Sequence, residues 1–165
     1  MPADDDAGDD LATDPNVDAN LQKEYEAALG QFLVAINRLE ADISDMIVLA
    51  LKKAGREDII SSIKGARYER KVLTLDLLSL RFPELASQTL TKELREIGHE
   101  RNNLAHGHFD LHPCGGSYDV ITQHKNRIDM PIKKIHALTE RTKTAYRQVG
   151  KFSAYYWHDE VPGSE

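Results

Sequence analysis

Apolar residues recur at steps of three and four along most of the chain, and the breaks in that rhythm divide it into segments. Leu21, Tyr25, Ala28, Phe32, Ile36, Leu39, Ile43, Met46 and Ala50 share one helical face. They predict a first helix from residue 18 or 20 to about 54, with Gly55 as its stop. Residues 56–65 read as a connector holding one short turn. A second helix fits 66–80, where Val72, Leu75, Leu77 and Leu78 lie too close together for a narrow stripe and predict burial on more than one side. Phe82 and Pro83 end it, because the residue before a proline is pushed out of the helical region. Leu90, Leu94, Ile97 and Leu104 carry a third helix from about 85 to 105 or 106, and Gly107 follows where a left-handed cap residue is expected.

The period then changes from helical to alternating. Phe109 and Leu111 alternate with Asp110 and His112, residues 113–116 form a turn, and Tyr118, Val120 and Thr122 alternate again. This pattern predicts a β-hairpin, with room for a third short strand at 127–130. Pro131 is tolerated in the first turn of a last helix, whose stripe of Ile132, Ile135, Leu138, Thr142, Ala145, Val149, Phe152 and Tyr156 runs to about 157. The fold class expected is therefore mainly α: an antiparallel bundle of about four helices with a small β-hairpin inserted before the last one. Two helices of that length carry more apolar surface than a small monomer readily covers, so a homodimer is expected.

Composition adjusts this picture in three places. At 165 residues the chain can bury a core without disulfides, and its single cysteine, Cys114, forms no internal bridge. The formal net charge of −6 is concentrated: residues 1–20 hold seven Asp and no Lys or Arg, leaving 21 basic against 20 acidic groups elsewhere. Residues 1–17 accordingly read as an acidic disordered tail, 18–157 as one domain and 158–165 as a short C-terminal tail. No apolar run approaches the ~18 residues of a membrane span, and no cationic start precedes an apolar stretch, so no membrane partner and a cytoplasmic location are expected.

The chemistry concentrates at the end of the third helix, in residues 100–110, ERNNLAHGHFD. On a helical wheel His99, Asn102, Asn103 and His106 fall on one side, whereas Arg101 points toward the face of Leu94, Ile97 and Leu104. An arginine there needs either an acid from the first helix, Glu40 before Asp42, or a path around the helix end that the missing side chain of Gly98 would open. A histidine in a helix's last turn faces the negative end of the dipole, which favours the charged ring and suits proton transfer near neutrality.

The segment RNNLAHG, residues 101–107, resembles the signature of the HEPN superfamily (higher eukaryotes and prokaryotes nucleotide-binding). There an arginine followed by a polar residue, often asparagine, precedes a helix-terminal histidine by four to six intervening positions; here four residues separate Arg101 from His106. The resemblance implies an all-α homodimer whose two motifs face each other across a cleft. It also implies metal-independent endoribonuclease activity without cofactor, in a toxin, phage-defence or stress-response setting, with an antitoxin or regulatory protein as partner. His106 would then act as base or acid, Arg101 would hold the scissile phosphate, and Asn102 would orient phosphate or imidazole. Glu40, Asp42, Asn103 and His99 would support or orient them. One departure from the family is His108, which stands where a subset of members carries a modified tyrosine.

Three other readings compete. His106, His108, His112 and Cys114 suit zinc by residue type, but their spacing matches no structural zinc pattern, so no metal is expected. The cations Lys52, Lys53, Arg56, Lys64, Arg67, Arg70 and Lys71 read as a solvated face, with Tyr68 among them as a ring on which a base could stack. A non-catalytic HEPN-like dimer that binds RNA, nucleotide or protein is the alternative function.

Overall fold

A first helix of 39 residues is the spine of the computed structural model, which describes residues 15–112, 115–122 and 126–158, with side chains considered from 19 to 151. The tail expected over 1–17 lies outside the described residues except for its last three positions, which already belong to this helix, α1 (Pro15–Lys53). Residues 159–165 lie outside them too. All nine positions of the apolar stripe contribute to the core, eight of them buried and Leu21 partly so. The stop at Gly55 is a left-handed cap (φ 68°): Arg56 N–H reaches back to Leu51 O and Gly55 N–H to Lys52 O, closing the carbonyls the helix leaves open. Lys52 and Lys53 sit in the last turn, where they complement the dipole.

A 3-10 turn (Glu57–Ile59) and the short α2 (Ile60–Lys64) lead to α3 (Tyr68–Ser79) and then α4 (Gln88–His106). The Ser87 side chain caps α4 by accepting the Leu90 N–H at 3.1 Å. The α3 expectation needs correcting: Val72 and Leu75 are buried, but Leu73, Leu77 and Leu80 are 52, 59 and 80 % exposed. The closely spaced leucines give an outer apolar stripe instead of a second buried side.

The expected hairpin forms and the third strand allowed at 127–130 joins it, giving a three-stranded antiparallel sheet, β1 (His108–Leu111), β2 (Tyr118–Ile121) and β3 (Arg127–Met130), in that order. Phe109 opposes Val120, and Tyr118 opposes Met130. Tyr25 of α1 pins the sheet: its hydroxyl donates to Met130 O at 2.5 Å and accepts from Tyr118 N–H at 3.0 Å, and its ring meets Tyr118 edge-on at 4.7 Å.

The last helix, α5 (Ile132–His158), makes its most extensive contact with α1. It starts beside Tyr25 and passes Asp42 at Gly150, so α1 and α5 run in the same direction. The antiparallel expectation fails for this pair because the intervening sheet carries the chain back to the start of α1's core stripe. It holds for α3 and α4, where Glu69 meets Asn102 and Asp76 meets Arg95. The protein is thus mainly helical with one small antiparallel sheet. Among the described residues no helix is long and apolar enough to cross a membrane.

Candidate functional site

An open cleft of about 710 Å³ lies where the C-terminal end of α4 meets the start of α3 and the middle of α1. From α4 it receives His99, Arg101, Asn102, Asn103 and His106. Arg67, Tyr68 and Glu69 come from the start of α3, Glu40 from α1, and Thr122 from just after β2. Asp42 does not reach it. That carboxyl faces α5, 3.6 Å from where a Cβ on Gly150 would stand, and burial together with the nearby Asp45 raises its pKa.

Arg101 takes neither acid expected for it. Glu40 lines the same cleft, but its Oε1 accepts from Lys71 Nζ at 2.8 Å. Lys71 is only 7 % exposed, and a buried ammonium requires a partner more than a guanidinium that can lean to the surface. Arg101 is half-buried and forms no ion pair among the described residues. Its Nη1 donates to Asn102 Oδ1 at 3.3 Å. Asn102 Nδ2 in turn donates to Glu69 Oε1 at 2.7 Å, which fixes the carboxamide with its oxygen toward the arginine. The bond from Asn102 is the main reason the Glu69 carboxyl is held below its usual pKa, with Arg101 and Arg67 adding to it.

The glycines work differently from the expectation. A Cβ on Gly98 would stand 2.7 Å from the Tyr68 ring, so that glycine makes room for tyrosine, not for a path of Arg101. Tyr68 is buried and its hydroxyl donates to Leu94 O at 3.0 Å, which leaves no exposed ring face for a base. Burial first, and Glu40 and Glu69 next, push its phenol well above the usual range. Gly107 has φ −79° and ψ 155°, an extended residue and not a left-handed cap. Glycine is required there because β2 closes on the helix end: a Cβ would lie 2.2 Å from Val120 Cγ1 and 2.5 Å from Asn103 O.

His106 is exposed in the last turn of α4, and His99 is exposed on the same helix face, about two turns earlier. Among the described residues no three His, Cys, Asp or Glu side chains are grouped so as to hold a metal ion; Cys114 lies outside those residues.

Sequence reasoning missed Glu69 and Thr122 as cleft residues and took Arg67 and Lys71 for parts of a solvated face, which holds for exposed Arg67 and fails for buried Lys71. For Lys71 a signal existed. Tyr68, Lys71, Val72 and Leu75 fall on one helical face, so the lysine stands among apolar residues, which is the same warning that drew attention to Arg101. Glu69 and Arg67 carried no comparable pattern within a charged run. Comparison with family models, with curated protein sequences and with solved structures returns no match. The functional reading therefore rests on the cleft and on the motif that leads into it.

Proposed function

We propose that this protein is a metal-independent endoribonuclease of the HEPN type, with its helices forming a HEPN-like four-helix bundle and its site completed in a homodimer. The observation that carries the reading is Arg101. Its guanidinium lines an open cleft without a carboxylate ion pair among the described residues, in the same cleft as the exposed His106 and with Arg67 as a second cation. Guanidinium groups that keep donors open in a half-sheltered site suit a phosphate.

In this reading His106 takes the proton from a ribose 2′-hydroxyl. The 2′-oxygen attacks phosphorus, and the bond to the 5′-oxygen breaks. The products are a 2′,3′-cyclic phosphate and a 5′-hydroxyl, the latter protonated by an imidazolium, supplied by the second copy's motif in the dimer. Arg101 and Arg67 stabilise the charge that builds on the phosphoryl oxygens. The outer stripe of Leu73, Leu77 and Leu80 begins one turn beyond Glu69, and its exposure supports a second copy that packs near the cleft. A cytoplasmic toxin, phage-defence or stress-response role, restrained by an antitoxin or regulatory protein, goes with this chemistry.

The test is incubation with a mixed RNA pool in EDTA followed by end-group analysis. Cyclic phosphate ends, lost in His106→Ala and Arg101→Ala, are the expected result. Intact RNA with the wild-type protein would remove the nuclease reading. The second reading, a dimer that binds RNA or nucleotide without cutting it, is favoured by one observation: Asn102 is already engaged on both sides, by Glu69 and Arg101, and so is not free to orient a substrate. RNA binding without cleavage would establish it.

A further inference from the structure

Glu69 is an acid in a place where an anion is meant to bind. Its side chain lines the cleft beside Arg67 and Arg101, is exposed, and is held in place by the 2.7 Å bond from Asn102. A carboxylate accepts hydrogen bonds and donates none while ionised. Whatever part of a bound nucleotide lies over Glu69 cannot be phosphate, because two sets of anionic oxygens would face each other without a proton between them. It must be a donor. A nucleotide offers two kinds of neutral donor next to its phosphate: sugar hydroxyls and base amino or imino groups.

We infer that Glu69 is a specificity-determining residue that accepts a hydrogen bond from a neutral donor of the nucleotide, a ribose hydroxyl or a base N–H, while Arg101 and Arg67 take the adjacent phosphate. The inference rests on nucleic acid being the ligand of this cleft. Three features of the geometry support it. The Asn102 amide uses Oε1 and leaves the carboxylate's remaining lone pairs for another donor. The same amide keeps the group ionised, and therefore an acceptor, below the ordinary carboxylate range. Glu40, the other cleft carboxylate, is half-buried and neutralised by the Lys71 ammonium, whereas Glu69 is exposed and bonded only by a neutral amide.

The experiment measures binding, not cutting. Labelled tetranucleotides are titrated by fluorescence anisotropy at pH 8 in EDTA against full-length His106→Ala, which keeps RNA intact, and against the same chain with Glu69→Gln added. Glutamine can still accept from Asn102 through its own oxygen, so the substitution removes charge while retaining the contact that positions Arg101. The ligands are oligo-uridine, its 2′-deoxy form and oligo-cytidine. A hydrogen bond to a charged group is worth about 1.5–3 kcal/mol, or roughly 10- to 150-fold in affinity. Hence either the ribo-over-deoxy ratio should exceed about tenfold, or cytidine and uridine affinities should differ by about tenfold or more in either direction, and the difference should collapse toward unity in Glu69→Gln. Collapse of the first identifies a sugar hydroxyl, and collapse of the second a base donor, the cytidine amine or the uridine imino group according to which base was preferred. Both ratios unchanged, with RNA still bound, would overturn the role of Glu69 and leave the cleft reading standing. Failure of every ligand to bind the parent protein would overturn both. Glu69→Ala, which loses the Asn102 bond as well, should weaken all ligands together, whereas Glu69→Gln, which keeps that bond, should lower the melting temperature at pH 8 only modestly.

Discussion

The corner at Tyr25 and the cleft at Arg101 are both places where α1 meets later parts of the chain, and they treat polar groups in opposite ways. At the corner the Tyr25 hydroxyl donates to Met130 O, accepts from Tyr118 N–H and is sealed by aromatic edges. Nothing is left over for a ligand. At the cleft one cation, Lys71, is buried and matched by Glu40, while another, Arg101, has only the weak 3.3 Å contact to its neighbour's amide. The difference teaches that satisfied polar groups mark where the fold is held together, and half-satisfied ones mark where something else is meant to arrive.

Substitutions can break that contrast. The largest effect is expected at the cleft: His106→Ala and Arg101→Ala should each lower RNA cleavage by about 10²- to 10⁴-fold while thermal unfolding stays near wild type. Loss of stability in step with activity would instead class these residues with the corner. Tyr25→Ala should behave in the opposite sense, costing about 3–5 kcal/mol in denaturant unfolding, since it empties a core position and strands the Tyr118 N–H and the Met130 carbonyl. Next comes the pair of cations. Lys71→Met leaves Glu40 without its partner and should cost about 1–3 kcal/mol, whereas Arg101→Met should cost under about 1, a ranking that urea titrations of the two variants would check.

The smallest effect is a pH signature. Burial raises the Asp42 carboxyl above its unfolded value, so its proton is bound more tightly in the folded state. The stabilising contribution is present at acid pH and lost as pH rises through the folded value. Asp42→Asn should therefore raise the melting temperature modestly at pH 7 and leave it unchanged near pH 3. Glu69 has the opposite sign: its lowered pKa contributes stability above the usual carboxylate range that fades as pH falls through the folded value. Glu69→Gln should accordingly flatten the acid limb of the melting curve against pH.

Much of the frame was legible because helical period alone carries it. The stripe from Tyr25 to Ala50 is the core face of α1, and Leu90, Leu94, Ile97 and Leu104 are the core face of α4. The direction of α5 was not legible, since a stripe tells which side of a helix is buried and not which neighbour covers it. The partner of Arg101 was misjudged for a similar reason. The wheel set Arg101 apart from His99, Asn102, Asn103 and His106, yet all five line one cleft, and it could not register that Lys71, on another helix, needed Glu40 more. Gly98 and Gly107 were noticed for conformational freedom or an open path, yet both serve close approach, to Tyr68 and to Val120, which only the assembled fold reveals.

The same-direction pairing of α1 with α5 also dictates the order in which the molecule can be finished. The Tyr25–Met130 bond spans 105 positions, and α5, the main cover of α1's stripe, follows every other described element along the chain. During synthesis the apolar stripe of α1 therefore waits, uncovered on that side, until α5 has left the ribosome. Contacts of such separation form late and slowly. A nascent chain stalled inside α5 would present an open α1 to chaperones or to another copy, so the shielding of that stripe depends on the 27 residues of α5.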